Sequence, residues 1–152
     1  MNSGETCNTF TAGGPCVTAT FSTDAAPTPA GGAFVAGTYN LVSETFYGSA
    51  QLEATFQSGQ PFRRTYVLSD VTSTSFTLDL AETLGTVVAR AHETVAVSGM
   101  TATFNPICPP ADAGAVWGGS DDFTATSTSI TLIRPVVGVD GLLDARVYHK
   151  AP

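Results

Sequence analysis

The stretch Thr86-Val87-Val88-Ala89-Arg90-Ala91-His92-Glu93-Thr94-Val95-Ala96-Val97-Ser98-Gly99-Met100-Thr101-Ala102-Thr103-Phe104-Asn105 decides the fold class. Its residue types repeat with a period of two, which is the period of a strand and not that of a helix. Val87, Ala89, Ala91, Glu93, Val95 and Val97 fall on one face, and Val88, Arg90, His92, Thr94 and Ala96 on the other. The first set is the more apolar and is expected to face the core, with Arg90 and His92 outside. Ser98-Gly99 separates the two alternating runs, and Gly99 supplies the positive φ that a tight hairpin turn requires. The stretch therefore reads as two antiparallel, adjacent strands.

The same pattern extends through the chain, with Gly, Pro, Ser or Asp interrupting it every 8 to 12 residues or so. Candidate strands are Cys16–Ser22, Thr38–Phe46, Phe62–Ser69, Ser75–Leu80, Thr86–Val97, Met100–Asn105, Asp122–Ser127, Ile130–Arg134 and Leu142–Lys150. Further hairpins are expected at Ser127-Thr128-Ser129 and across the loop between Leu68 and Thr74. Consecutive hairpins make an antiparallel meander, and about eight such strands must close or stack to remove open edges. The expected architecture is all-β: a meander closed into a barrel of about eight strands, with a β-sandwich as the alternative. Parity places Tyr39, Leu41, Tyr66, Leu68, Phe76, Phe104 and Phe123 inside, where they would line a ligand cavity if one exists. On the last strand the more apolar set, Leu143, Ala145 and Val147, is expected inside, and Asp144, Arg146 and Tyr148 outside. Small inner residues leave room that Phe46, Phe76, Phe104 or Trp117 could fill. Asp24–Gly32 carries Pro27, Pro29 and Gly31-Gly32 and cannot hold a regular element. Residues 1–32 then form an arm and linker tied to a barrel of residues 33–152, as one folding unit.

With 152 residues, 43% of them apolar, the chain is long enough for one domain with an ordinary core. A net charge of −7, with six basic residues, argues against nucleic acid or an anionic membrane as partner. No apolar run is long enough for an integral membrane helix. The opening Met1-Asn2-Ser3-Gly4-Glu5 has no leader pattern, which also suits a chain whose leader, and any lipid anchor on it, has been removed. A surface rich in Ser and Thr with a single lysine favours secretion or the cell envelope. Cys7, Cys16 and Cys108 match no metal-binding spacing. Cys7 lies in a polar arm that needs a tie, and Cys108 stands where a strand meets the stiff Pro109-Pro110. A Cys7–Cys108 disulfide is therefore expected, with Cys16 free and buried in its β-branched run. Three reduced, buried cysteines are the alternative.

Gly37-Thr38-Tyr39, opening the first long strand after a linker, resembles the Gly-x-Trp start of lipocalin (calycin) barrels, with Tyr39 in place of Trp. The resemblance implies an arginine packed over that ring, and Arg134 holds the matching position. The chain also resembles lipocalin-like lipoproteins and secreted proteins of myxobacteria. The shared features are Cys7-Asn8, the linker Ala25–Gly32, Gly37-Thr38-Tyr39, Cys108-Pro109 and the closing strand Ala145–Lys150. That likeness implies a barrel and export from a bacterial cell, and brings no activity with it.

No motif anchors catalysis. His92 and Glu93 are adjacent on a strand and point to opposite faces, so they cannot cooperate. Asp121-Asp122 after Gly118-Gly119-Ser120 lacks the spacing of a calcium loop and reads as a polar turn. Glu44, Glu53, Asp79 and Glu93 fall on separate segments that sequence does not bring together. Glu93 stands apart because parity buries it, with a raised pKa or a partner such as Arg63 or Arg64, unless a bulge turns it outward. Neither the P-loop nor the Rossmann fingerprint is present, no cofactor is expected, and no enzyme is read. The expected role is an exported barrel that binds a small hydrophobic ligand, or alternatively an envelope module with a filled core.

Overall fold

The computed structural model describes residues 7–110 and 118–152. It contains β1 (Thr20–Ser22), β2 (Gly37–Tyr47), β3 (Phe62–Ser69), β4 (Ser75–Leu84), β5 (Val87–Ser98), β6 (Thr101–Cys108), β7 (Gly119–Ala125), β8 (Ser129–Pro135) and β9 (Leu143–Lys150). One short helix, α1 (Ala50–Glu53), lies between β2 and β3. The strands form a single sheet in sequence order, and β2 pairs with β9 to close β2–β9 into an eight-strand ring. A sandwich of two sheets is not formed.

The hairpin that opened the reading is present, with Ser98 opposite Thr101 and Thr94 opposite Asn105. Gly99 begins its two-residue loop at φ +59°, the sign that a Gly-first hairpin turn demands. β4 runs four residues beyond the expected Leu80, because Ala81–Leu84 continue the pairing with Val87–Arg90. All ring contacts are antiparallel, while β1 lies parallel to β2 over Thr45–Tyr47.

The ring is uneven. β2 pairs with β3 only over Gly37–Asn40, then diverges, and the arm fills the wedge. Val17 and Phe62 exchange backbone hydrogen bonds of 2.8 and 2.9 Å, and β1 pairs with the far end of β2. The arm is held on the outer face by its own polar groups. Asn8 Nδ2 donates to the Leu80 and Ala91 carbonyls, Arg90 Nε donates to the Phe10 carbonyl, and the Gly13 amide donates to Thr65 Oγ1. A Cys7–Cys108 disulfide fastens its start to the end of β6, with an S–S distance of 2.03 Å. Cys16 is exposed and not buried, because its neighbour Val17 takes the inward position against Phe62. Arg63 Nε donates to its sulfur at 3.3 Å.

Inside, the end of the ring where β2 begins is packed solid. Phe34, from the segment before β2, packs its ring at a tilt against Phe76, with centroids 4.6 Å apart, and against Phe123 at 4.5 Å. The chain reaches that place by passing close to β7: at Gly32 (φ +115°) a Cβ would run into the Ala125 carbonyl. Tyr39, Leu41, Leu68, Leu78, Val95 and Leu132 complete this core.

Two expectations about sidedness are corrected. On β9 the inward set is Asp144, Arg146 and Tyr148, and Val147 is only half-buried. Its neighbour decides this: Ile130, Leu132 and Arg134 of β8 point inward, and Tyr148, Arg146 and Asp144 stand opposite them. On β2 an irregularity between Leu41 and Ser43 leaves Val42 unpaired with β9 and reverses the parity beyond it. Tyr39 and Leu41 face in before the irregularity, and Glu44 faces in after it. The likeness to lipocalins implied Arg134 over Tyr39. Instead Arg134 sits at the other end of the ring with Asp121, and Tyr39 donates its hydroxyl to the Val35 carbonyl at 2.8 Å.

Candidate functional site

The end of the ring opposite Phe34 is lined by ionisable side chains. On β3, β4, β5, β7 and β8, alternation carries an inward apolar residue near the middle to a charged one near this end. Leu68 and Tyr66 lead to Arg64, Leu80 to Glu82, Val95 to Glu93, Phe123 to Asp121, and Leu132 to Arg134. Arg64, Glu82, Glu93 and Arg134, with Glu44, Asp144 and Arg146, line a cavity of about 220 Å³, and Asp121 holds two of its arginines. Tyr66, Leu80, Phe104 and Gly118 contribute to its wall.

Three guanidinium groups are neutralised within this layer. Asp121, 1% exposed, takes Arg134 Nε at 2.7 Å on Oδ1 and Arg146 Nη2 at 2.6 Å on Oδ2. Arg146 also reaches Asp144 through Nε at 3.3 Å, and Arg64 pairs with Glu82. Arg64 Nη1 donates to the Tyr148 hydroxyl at 3.4 Å, and the Tyr148 ring stacks on Tyr66 with centroids 4.3 Å apart. Burial raises the Tyr66 phenol well above its ordinary value, so it stays protonated.

The carboxylates outnumber these cations. Glu93 is 2% exposed, and its Oε1 has no hydrogen-bond partner among the described residues. Burial pushes its carboxyl up to about 7; the Arg134 guanidinium pulls against that and the Asp121 carboxylate adds to it. Glu44 is raised by burial and by Asp144, against the pull of Arg64 and Arg146. Asp144 is raised by burial, although Arg146, Arg64 and Arg134 oppose the shift. Taking an unpaired carboxylate out of water is expensive, so these groups hold a proton more readily than they would in solvent.

Of the seven residues expected to line a cavity, Tyr66 and Phe104 do so. Tyr39, Leu41, Leu68, Phe76 and Phe123 belong to the packed core instead. Of the four carboxylates considered together, Glu44 and Glu93 reach the same cavity. Asp79 lies outside the ring, where His92 Nδ1 meets its Oδ1 at 2.8 Å, and Glu53 is on α1. Asp121 is no turn residue: it is the centre of the ionic layer, and Asp122 accepts from Thr101 Oγ1. Both Asp121 oxygens are paired with guanidinium groups. Of the two partners expected for Glu93, Arg64 points inward and is held by Glu82, while Arg63 points out to Cys16. Trp117, expected as an interior filler, lies outside the described residues.

The signal for much of this layer is in the sequence. Arg64 shares parity with Tyr66, Glu82 with Leu80, Asp121 with Phe123, and Arg134 with Leu132. Four charged residues on faces already assigned to the interior mark a polar end. Among the described residues no helix is long and apolar enough to cross a membrane. Comparison with protein-family models, with curated proteins and with solved structures returned no match.

Proposed function

We propose that this chain is an exported, calycin-like binding protein that holds a small polar guest in the ionic end of its ring and carries out no chemistry on it. The observation that carries the reading is the cavity of about 220 Å³ whose wall includes Glu44, Glu93 and the Arg64, Arg134 and Arg146 guanidinium groups. Convergent polar groups in a concave site fix the orientation of a ligand. The volume lies below the roughly 300–1,000 Å³ usual for drug-sized ligands, so the guest is small. A hydrophobic guest, the expectation from an interior lined by aromatics, would cover buried charges without satisfying them, whereas a polar guest supplies the missing hydrogen bonds. Closure into a ring with Gly37-Thr38-Tyr39 at the packed end supports the calycin-like part of the proposal. The Cys7–Cys108 disulfide supports export, since such bonds persist in oxidising compartments.

The test is calorimetric titration with four-carbon probes of different charge (1,4-butanediol, butylammonium, 1,4-diaminobutane and succinate) and with decanoate as the apolar probe. Saturable one-to-one binding of a four-carbon probe, without binding of decanoate, is expected. Binding of decanoate alone, or of no probe at all, would overturn the reading.

A further inference from the structure

We infer that the guest of this cavity is a small organic cation, an ammonium or guanidinium compound, anchored by Glu93 with Glu44 as the second carboxylate. The inference rests on the binding reading above and specifies its ligand class.

Every basic side chain in the protein already has a place. The chain has six: Arg63, Arg64, Arg90, Arg134, Arg146 and Lys150. Arg134 and Arg146 converge on Asp121, and Arg64 is held by Glu82. Arg63 lies outside the ring on Cys16, and Arg90 lies outside on the Phe10 carbonyl. The Lys150 side chain lies over Gly37, at the opposite end of the ring. The two histidines are remote as well: His92 meets Asp79 on the outer face, and His149 is exposed. Residues 1–6 and 111–117 contain no Lys, Arg or His.

The chain therefore has no further cationic side chain to offer, yet Glu44 and Glu93 both face the cavity without an ion pair among the described residues. Glu93 is the more demanding of the two. It is almost wholly removed from solvent, its Oε1 has no partner among the described residues, and it lines the cavity. The charges facing it are Arg134 on β8, already committed to Asp121, and Asp121 itself on β7. A guest ammonium placed against Glu93 makes a charge-assisted hydrogen bond in a poorly solvated site, where such bonds are strongest. An anion would meet the carboxylates of Glu44, Glu82, Glu93 and Asp144 against three guanidinium groups that are already paired. A neutral guest would leave Glu93 either protonated or unpaired.

The same four-carbon probes distinguish a cation site from a site for any small polar guest. Butylammonium should bind at least tenfold more tightly than 1,4-butanediol, and 1,4-diaminobutane more tightly still, its second ammonium meeting Glu44. Succinate should not bind. Glu93→Gln should weaken butylammonium at least tenfold, whereas Glu53→Gln, the same charge change on exposed α1, should leave it unchanged. Glu44→Gln should bring the diamine down to the level of the monoamine. At pH 6, titration in two buffers of different ionisation enthalpy should show about one proton released per cation bound, as Glu93 gives up its proton to the incoming charge. Binding of butanediol or succinate in preference to the cations would overturn this inference and leave a polar-guest protein standing. No binding of any four-carbon probe would remove both. A cooperative urea transition for each variant at pH 5 separates lost binding from lost folding.

Discussion

Replacing Glu93 with Gln should make the protein more stable at neutral and alkaline pH and leave it unchanged in acid. Glu93 is pushed up to about 7 in the folded protein because burial disfavours its charge, against 4.5 for an ordinary glutamate. Between those values the folded state binds the extra proton, so stability is fully present below the lower value and falls as pH rises through the upper one. The gap is about 2.5 pH units, and at 1.36 kcal/mol per unit the loss approaches about 3 kcal/mol above pH 7. Gln keeps the shape and the hydrogen-bonding capacity without the charge, so its stability should lack this component. Urea unfolding from pH 4 to 8.5 is the assay, with the variant-minus-parent difference as the quantity of interest. It should be near zero at pH 4 and rise to about 3 kcal/mol by pH 8. With a urea slope of about 1–3 kcal/mol per molar, that corresponds to a midpoint shift of about 1–3 M. Glu44 and Asp144 are raised in the same direction, so the parent protein keeps some further loss of stability with pH. Taking the difference isolates Glu93 from them. A difference that is flat across the range, or a variant destabilised at pH 8, would show that Glu93 is solvated or paired, and the cation argument would lose its anchor.

Two further outcomes test the frame around the cavity. Asp121→Ala leaves Arg146 buried, and Arg134 half-buried, without their shared partner and should cost about 3–5 kcal/mol by thermal or urea unfolding at pH 7; a loss below about 1 kcal/mol would mean the layer is solvated. Phe34→Ala empties the space between Phe76 and Phe123 and should cost about 3–5 kcal/mol with no effect on butylammonium affinity, since the cavity lies at the other end; weakened binding would join the two ends.

The order of the ring strands and their antiparallel sense follow from the chain alone, whereas the parallel pairing of β1 with β2 does not. Alternation and turn residues are local properties, and a run such as Thr86–Asn105 has one good solution, a hairpin with Gly99 at its turn. The same locality made Glu93 legible as a buried acid, since it sits between Ala91 and Val95 on the apolar face of β5. The Cys7–Cys108 pairing also came within reach, because a polar arm with no apolar pattern needs an attachment. Reading sides from hydrophobicity fails where the interior itself is polar. On β9 the apolar set Leu143, Ala145 and Val147 looks like the inner face, yet Arg146 and Asp144 are inside because the layer formed by Asp121 and Arg134 receives them. Glu44 depends on an irregularity at Val42, which arises where β2 leaves β3 and follows β9, a pairing between strands about a hundred residues apart. Alternation is a property of one strand. The side that faces inward, and which charges meet there, is a property of the closed ring, and only the tertiary structure decides it.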